Sequence, residues 1–155
     1  MNEQRRNTLK SGGGLGVLGL FVAAGLIKPE VALAAWDKKV FDAKTMDDAY
    51  GAIGSGKPVA SKEIAITAPD IAENGAVVPV SVVSRLAKTE RIYIMIEKNP
   101  SMVAANFTIP EGTEAEVTTR VKMGQTSNLH ALVKADGKYY FATKEVKVTL
   151  GGCGG

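Results

Sequence analysis

From Ala115 to Met123 the chain alternates without a break. Ala115, Val117, Thr119, Val121 and Met123 take one side, and Glu116, Thr118, Arg120 and Lys122 take the other. A period of two is the mark of a strand with one face toward a core and the other toward water. It excludes a helix, whose apolar positions recur at 3.6. Related patterns fill the rest of the second half. In 62–68, Ile64 and Ile66 share a face. The segment 76–84 is rich in Val, and 91–97 carries Ile-Tyr-Ile-Met-Ile between charged ends. A short strand at 104–109 stops before Pro110. Leu129, Ala131 and Val133 line one face of the next strand. Val146, Val148 and Leu150 line one face of the last, at 138–150. Asp136-Gly137 separates these two strands as a tight hairpin turn, because both residues tolerate positive φ. Seven strands with regular turn signals predict an all-β fold, an antiparallel β-sandwich of immunoglobulin-like type.

Ahead of the strands, Trp36, Val40, Ala43 and Ala49, with Phe41 and Tyr50, have partial helical spacing. They predict one or two short helices over 36–53, closed by Gly51 and by Gly54-Ser55-Gly56. Two strands, 77–83 and 92–96, are apolar on both faces, whereas a sandwich strand normally shows one face to water. Either the helical segment covers the second face or another chain does. The excess apolar surface motivates the expectation of a partner subunit.

The first residues form an address. Arg5 and Arg6 stand in a charged start, an uncharged stretch runs over 11–27, and Ala32-Leu33-Ala34 makes a small-x-small cleavage site before Ala35. This is the layout of a signal peptide over 1–34. Its apolar run is short of the ~20 residues that span a bilayer, so no membrane anchor is expected after cleavage. The paired arginines, followed by Leu9 and Lys10, resemble the twin-arginine export signal, although Thr8 holds the usual aromatic position. That signal directs the protein to the periplasm. The leader holds four of the 19 basic and two of the 16 acidic residues, so the mature chain has a net charge of +1. No phosphate-binding surface, and hence no nucleic-acid partner, is expected from that balance.

Candidates for chemistry are few. His130 is the only histidine and lies on a strand with no second ligand at metal-binding spacing, so it reads as a surface or partner-contacting residue and no metal is expected. Asp47-Asp48 reads as a solvated pair, and Asn74-Gly75 and Asn99-Pro100 read as turns. The five methionines form no cluster. No catalytic constellation emerges, so no catalytic residue and no enzyme activity are expected.

The single cysteine, Cys153, sits in the terminal sequence Gly151-Gly152-Cys153-Gly154-Gly155. Glycines on both sides remove bulk and stiffness, which predicts a flexible arm at 151–155 beyond a sandwich domain at 35–150. An extended arm carries the thiol about 10 Å past Leu150, far enough to enter a narrow tunnel in another protein. Nothing in the sequence activates the thiol, and with an ordinary pKa only about 3% is thiolate at pH 7. An enzyme nucleophile needs a base or cation beside it; an attachment point needs only reach and exposure.

The terminal glycine-cysteine motif, with "APDIAENGAVVPV" at 68–80, "EKNP" at 97–100, "TTRVKMGQTS" at 118–127 and "KEVKVTLGGCGG" at 144–155, closely resembles the SoxY family of periplasmic sulfur carriers. The resemblance covers nearly the whole mature sequence. It implies a heterodimer with a SoxZ-type β-sandwich subunit that lacks a signal and is exported folded with its partner. It further implies covalent sulfur attachment at Cys153, with no bound cofactor. A c-type cytochrome couples thiosulfate to the thiol as an S-thiosulfonate. A hydrolase releases sulfate, and a molybdenum sulfane dehydrogenase, where present, oxidises the remaining persulfide.

Two rival readings stay open at this point. A small-protein modifier would also end in Gly-Gly, but such proteins are cytoplasmic and mix helix with strand. An exported structural or adhesive sandwich would use Cys153 for an intermolecular disulfide.

Overall fold

The computed structural model describes residues 38–150, with Leu150 described by its backbone alone. The expected leader with Arg5, Arg6, Ala34 and Ala35, Trp36 of the expected helical segment, and the expected arm of Gly151, Gly152, Cys153, Gly154 and Gly155 lie outside the described residues.

Two short helices come first, α1 (Lys38–Asp42) and α2 (Met46–Ile53). Thr45 starts α2, its hydroxyl accepting the Asp48 backbone N–H at 3.0 Å. This satisfies one of the free N–H groups of the first turn. Asp47 and Asp48 complete that turn, where negative charge suits the helix dipole, and both are exposed as expected. Gly51, expected to close a helix, lies inside α2 instead. The stop is three residues later, where Gly54 takes φ 74° and donates to the Gly51 carbonyl at 3.1 Å. That left-handed turn is the conformation a glycine cap adopts without strain.

The strands are β1 (Val59–Ala60), β2 (Ile64–Thr67), β3 (Ile71–Asn74), β4 (Val78–Ser84), β5 (Thr89–Ile96), β6 (Val103–Thr108), β7 (Glu116–Val121), β8 (Ser127–Ala135) and β9 (Lys138–Leu150). They form a larger sheet in the order β1-β9-β8-β5-β6, with β3 added to β9, and a three-stranded sheet in the order β2-β4-β7. The all-β sandwich stands. Every pair among the seven expected strands is antiparallel. The two strands that sequence reading missed, β1 and β3, both pair with β9 in parallel. The expected hairpin also stands: Asp136 and Gly137 take φ 49° and 72° between β8 and β9.

The main core lies between the sheets. Val78, Val80 and Val82 of β4 meet Ile92, Ile94 and Ile96 of β5 and Leu129, Ala131 and Val133 of β8. A second core lies on the other face of the larger sheet, where Tyr93, Met95, Val103 and Leu132 pack with Val40, Ala43 and Ala49 of the helical segment. Strand β5 is therefore apolar on both sides because a sheet covers one and helices cover the other. Its composition is explained within this chain, and the argument for a partner from 92–96 falls away. Strand β4 is different: Val78, Val80 and Val82 point inward, while Val77 just before it is 54% exposed.

Candidate functional site: the root of the C-terminal arm

The sequence places the lone thiol three residues beyond Leu150, so the site begins with whatever holds the end of β9. Strand β9 runs the length of the sheet. It pairs with β8 from Lys138 to Val146, and there β8 begins, at Ser127. Past Val146 a different partner takes over: β3 lies parallel to β9, with Ile71 opposite Lys147, Ala72 opposite Val148 and Asn74 opposite Leu150.

Hydrogen bonds secure both flanks of this root. On the β3 side the Lys147 N–H donates to the Asp70 carbonyl at 3.0 Å, and the Thr149 hydroxyl donates to the Glu73 carbonyl at 3.2 Å. Lys144 adds an ion pair to Asp70 at 3.0 Å. On the other flank the chain before β8 has already turned away. The Thr126 hydroxyl stands in for the missing strand carbonyl and accepts the Val148 N–H at 2.9 Å. An unpaired N–H at this half-buried position would cost free energy.

The same end of the sheet carries the polar group around His130. Its Nδ1 lies 3.0 Å from the Thr143 hydroxyl, and its Nε2 lies 3.8 Å from Glu97 Oε2. Asn128 donates to that carboxylate oxygen at 2.9 Å. Burial pushes the imidazole pKa below its usual value, with Glu97 opposing the shift. The ring is therefore neutral at pH 7, and its contact with Glu97 is not an ion pair there. Expected as a surface or partner-contacting residue, His130 has a half-buried side chain, 14% exposed, so it is not a freely solvated surface histidine. It shares its face of the sheet with Met95 and Leu132, the face that the helices cover.

Among the described residues, no three His, Cys, Asp or Glu side chains are placed to hold a metal ion. A recess of about 480 Å³ is lined by residues including Lys88, Arg91, Asp136 and Gly137. It lies by the β8–β9 hairpin, at the opposite end of β9 from Leu150. Sequence reasoning singled out the thiol but gave no role to Thr126 and β3, which hold the end of β9, or to Glu97 and Asn128 beside His130. Thr126, β3 and Glu97 do fall within the quoted stretches at 118–127, 68–80 and 97–100.

The family described as "Sulfur oxidation protein SoxY" matches residues 50–153, a span that takes in the helix end, every strand and the lone cysteine. A search of the curated proteins finds no match. Among solved structures, the sulfur carrier protein SoxY from Chlorobium limicola f thiosulfatophilum is 41% identical, over 68% of this chain and 97% of that one, with a TM-score of 0.62. A superoxide reductase (neelaredoxin) from Ignicoccus hospitalis is 23% identical, over 67% of this chain and 93% of that one, with a TM-score of 0.46. The class is thus a β-sandwich protein of sulfur oxidation. The chain belongs to the SoxY family. That membership does not favour the structural, disulfide-linked sandwich.

Proposed function

We propose that this chain carries thiosulfate-derived sulfur on the Cys153 thiol and presents it to the enzymes of thiosulfate oxidation. The observation that carries the reading is the family match, which runs to Cys153, together with a fold whose last strand leads to that residue. In the proposed cycle the thiol and thiosulfate join as Cys-S-S-SO₃⁻, releasing a proton and two electrons to a c-type cytochrome. Water then cleaves the terminal sulfone as sulfate and leaves a persulfide. A sulfane dehydrogenase oxidises the persulfide sulfur where that enzyme is present. The glycines of the arm serve access: bulkier neighbours would obstruct threading into a buried site.

The same reading assigns residues 1–34 to a twin-arginine leader, 35–150 to the carrier domain, 151–155 to the arm, and the mature protein to the periplasm. A SoxZ-type subunit is its partner. Support for the partner comes from the family and from exposed apolar residues such as Ile71 and Val77, 59% and 54% exposed. The test is the intact mass of protein purified from thiosulfate-fed cells. Adducts of sulfur or thiosulfate on the tail peptide are expected, and a tail that stays unmodified under those conditions defeats the reading.

A further inference from the structure

His130 Nε2 is out of reach of water and makes no hydrogen bond within the described residues. Buried polar atoms are otherwise paired, so this one calls for a physical reason. The acceptor facing it falls short: Glu97 Oε2 is 3.8 Å away, beyond the usual N–H···O range. The ring lies between Met95, which is fully buried, and Thr143, which is exposed. Met95 and Leu132 on that face belong to the core made with Val40, Ala43 and Ala49. The imidazole therefore stands at the rim of the ground that the helical segment 38–53 covers.

The surroundings suit either charge state. With the neutral ring's proton on Nε2, the Thr143 hydroxyl donates to Nδ1 at 3.0 Å. A second proton, on Nδ1, turns that hydroxyl into the acceptor, a role threonine can also take. Glu97 accepts the Asn128 amide at 2.9 Å and has capacity left for Nε2–H. Glu97 is also the root of the loop that ties the helical segment down. From 97–102, the Ser101 hydroxyl donates to the Phe41 carbonyl and the Met102 N–H to the Ala43 carbonyl at 3.5 Å, while Lys44 Nζ donates to the Pro100 carbonyl at 3.0 Å. We propose that His130 is a proton-sensitive latch on the helical segment: taking up a proton puts a charge at the rim of the second core, draws Glu97 toward Nε2, and lets residues 38–53 open from the sheet.

The direction follows from burial. An imidazolium is fully solvated when the segment is open and only partly when it is closed, so the open form binds the proton more tightly. Burial lowers the closed-form pKa, and Glu97 opposes that shift without cancelling it. Acid therefore favours opening as pH falls through about 6.5, the value of a free imidazole, until the closed-form value is passed. Other charged groups nearby are more solvated: Glu145, opposite Asn128, and Lys38, Lys39, Asp42 and Asp47 of the helices are exposed. Tyr50, whose pKa is raised by burial and by Asp47 and Glu97, stays neutral in this range. Two helices of five and eight residues, with Val40, Ala43 and Ala49 as the buried side chains of the segment, make a unit that opens at low cost.

The test is amide hydrogen exchange on the purified protein at pH 7.5 and 5.5, read as protection factors so that the intrinsic pH dependence divides out. In wild type the Ala49, Gly54 and Met102 amides are expected to lose up to about tenfold in protection, the limit for one proton over that range. The ladder amides of β5 and β8 are expected to stay better protected at both pH values, because the helical segment opens by itself. His130→Asn, polar but without a titration, should show no such loss. Glu97→Gln should lose at least as much as wild type, and nitrogen NMR should place the neutral ring's proton on Nε2. Unchanged protection in wild type overturns the latch. So does an equal loss in His130→Asn, a smaller loss in Glu97→Gln, a neutral proton on Nδ1, or helical amides as well protected as those of β5 and β8. If His130→Asn does not fold, the wild-type profile and the Glu97→Gln comparison still decide.

Discussion

Strand β5 and the last four residues of β9 belong to the same sheet but are held in different ways. Ile92, Tyr93, Ile94, Met95 and Ile96 are all buried, three against the facing sheet and two under the helices. Residues 147–150 lie between a four-residue strand and one threonine hydroxyl, and Lys147 and Thr149 are exposed. One region is stabilised by apolar area removed from water, at roughly 1.5–3 kcal/mol for each large side chain. The other is held by directional hydrogen bonds of about 1 kcal/mol each. The contrast separates two ways of holding a strand, burial on both faces and hydrogen bonds along an exposed stretch.

The most severe test of that separation is at the thiol. Cys153→Ser should abolish sulfur loading, read as loss of every tail adduct by mass, and leave the thermal midpoint unchanged, as the carrier reading expects of a residue that follows the last strand in sequence. A shift of several degrees would show that the tail is packed against the body. At the opposite pole, Ile94→Ala should cost about 2–5 kcal/mol in chemical denaturation, the usual range for truncating a fully buried aliphatic side chain. Ile71→Ala, in β3, should cost no more than about 0.5 kcal/mol, as expected of an exposed position. Equal costs at the two sites would erase the distinction between them.

A smaller effect concerns His130, which shares its face of the sheet with Met95 and Leu132 of the second core. Its folded pKa is lowered by burial. The unfolded chain therefore binds the proton first as pH falls through about 6.5, and stability declines from there until the folded pKa is reached. Above that window the contribution is constant. As the protein's one histidine, its imidazole signal can be followed directly by NMR titration. Glu97→Gln removes the charge that favours protonation and should lower the pKa further. A midpoint at or above the ordinary histidine value would show that the ring is not buried as described.

Much of this was legible in the chain. Alternation at 115–123 and 129–133, the Asp136-Gly137 turn and the apolar faces of 76–84 and 138–150 appear in the structure as expected. Local periodicity and turn chemistry are properties of neighbouring residues, so the sequence displays them. The lone cysteine between glycines likewise needs no structure to be noticed, and with its flanking motifs it pointed to the family. What the sequence could not decide was which surface meets which. The pattern at 92–96 is the same whether helices or a second protein cover it, and only the packing of Val40, Ala43 and Ala49 on Tyr93 and Met95 settles the choice. Strands β1 and β3 are too short to show a period, and their parallel pairing joins residues about 80 positions apart. His130 became a half-buried group with a lowered pKa, and Thr126 a strand's substitute partner, only through contacts made across the sheet. Side-chain chemistry and spacing are written locally; burial and the direction of the arm's root are set by long-range pairing, which exists only once the chain has folded.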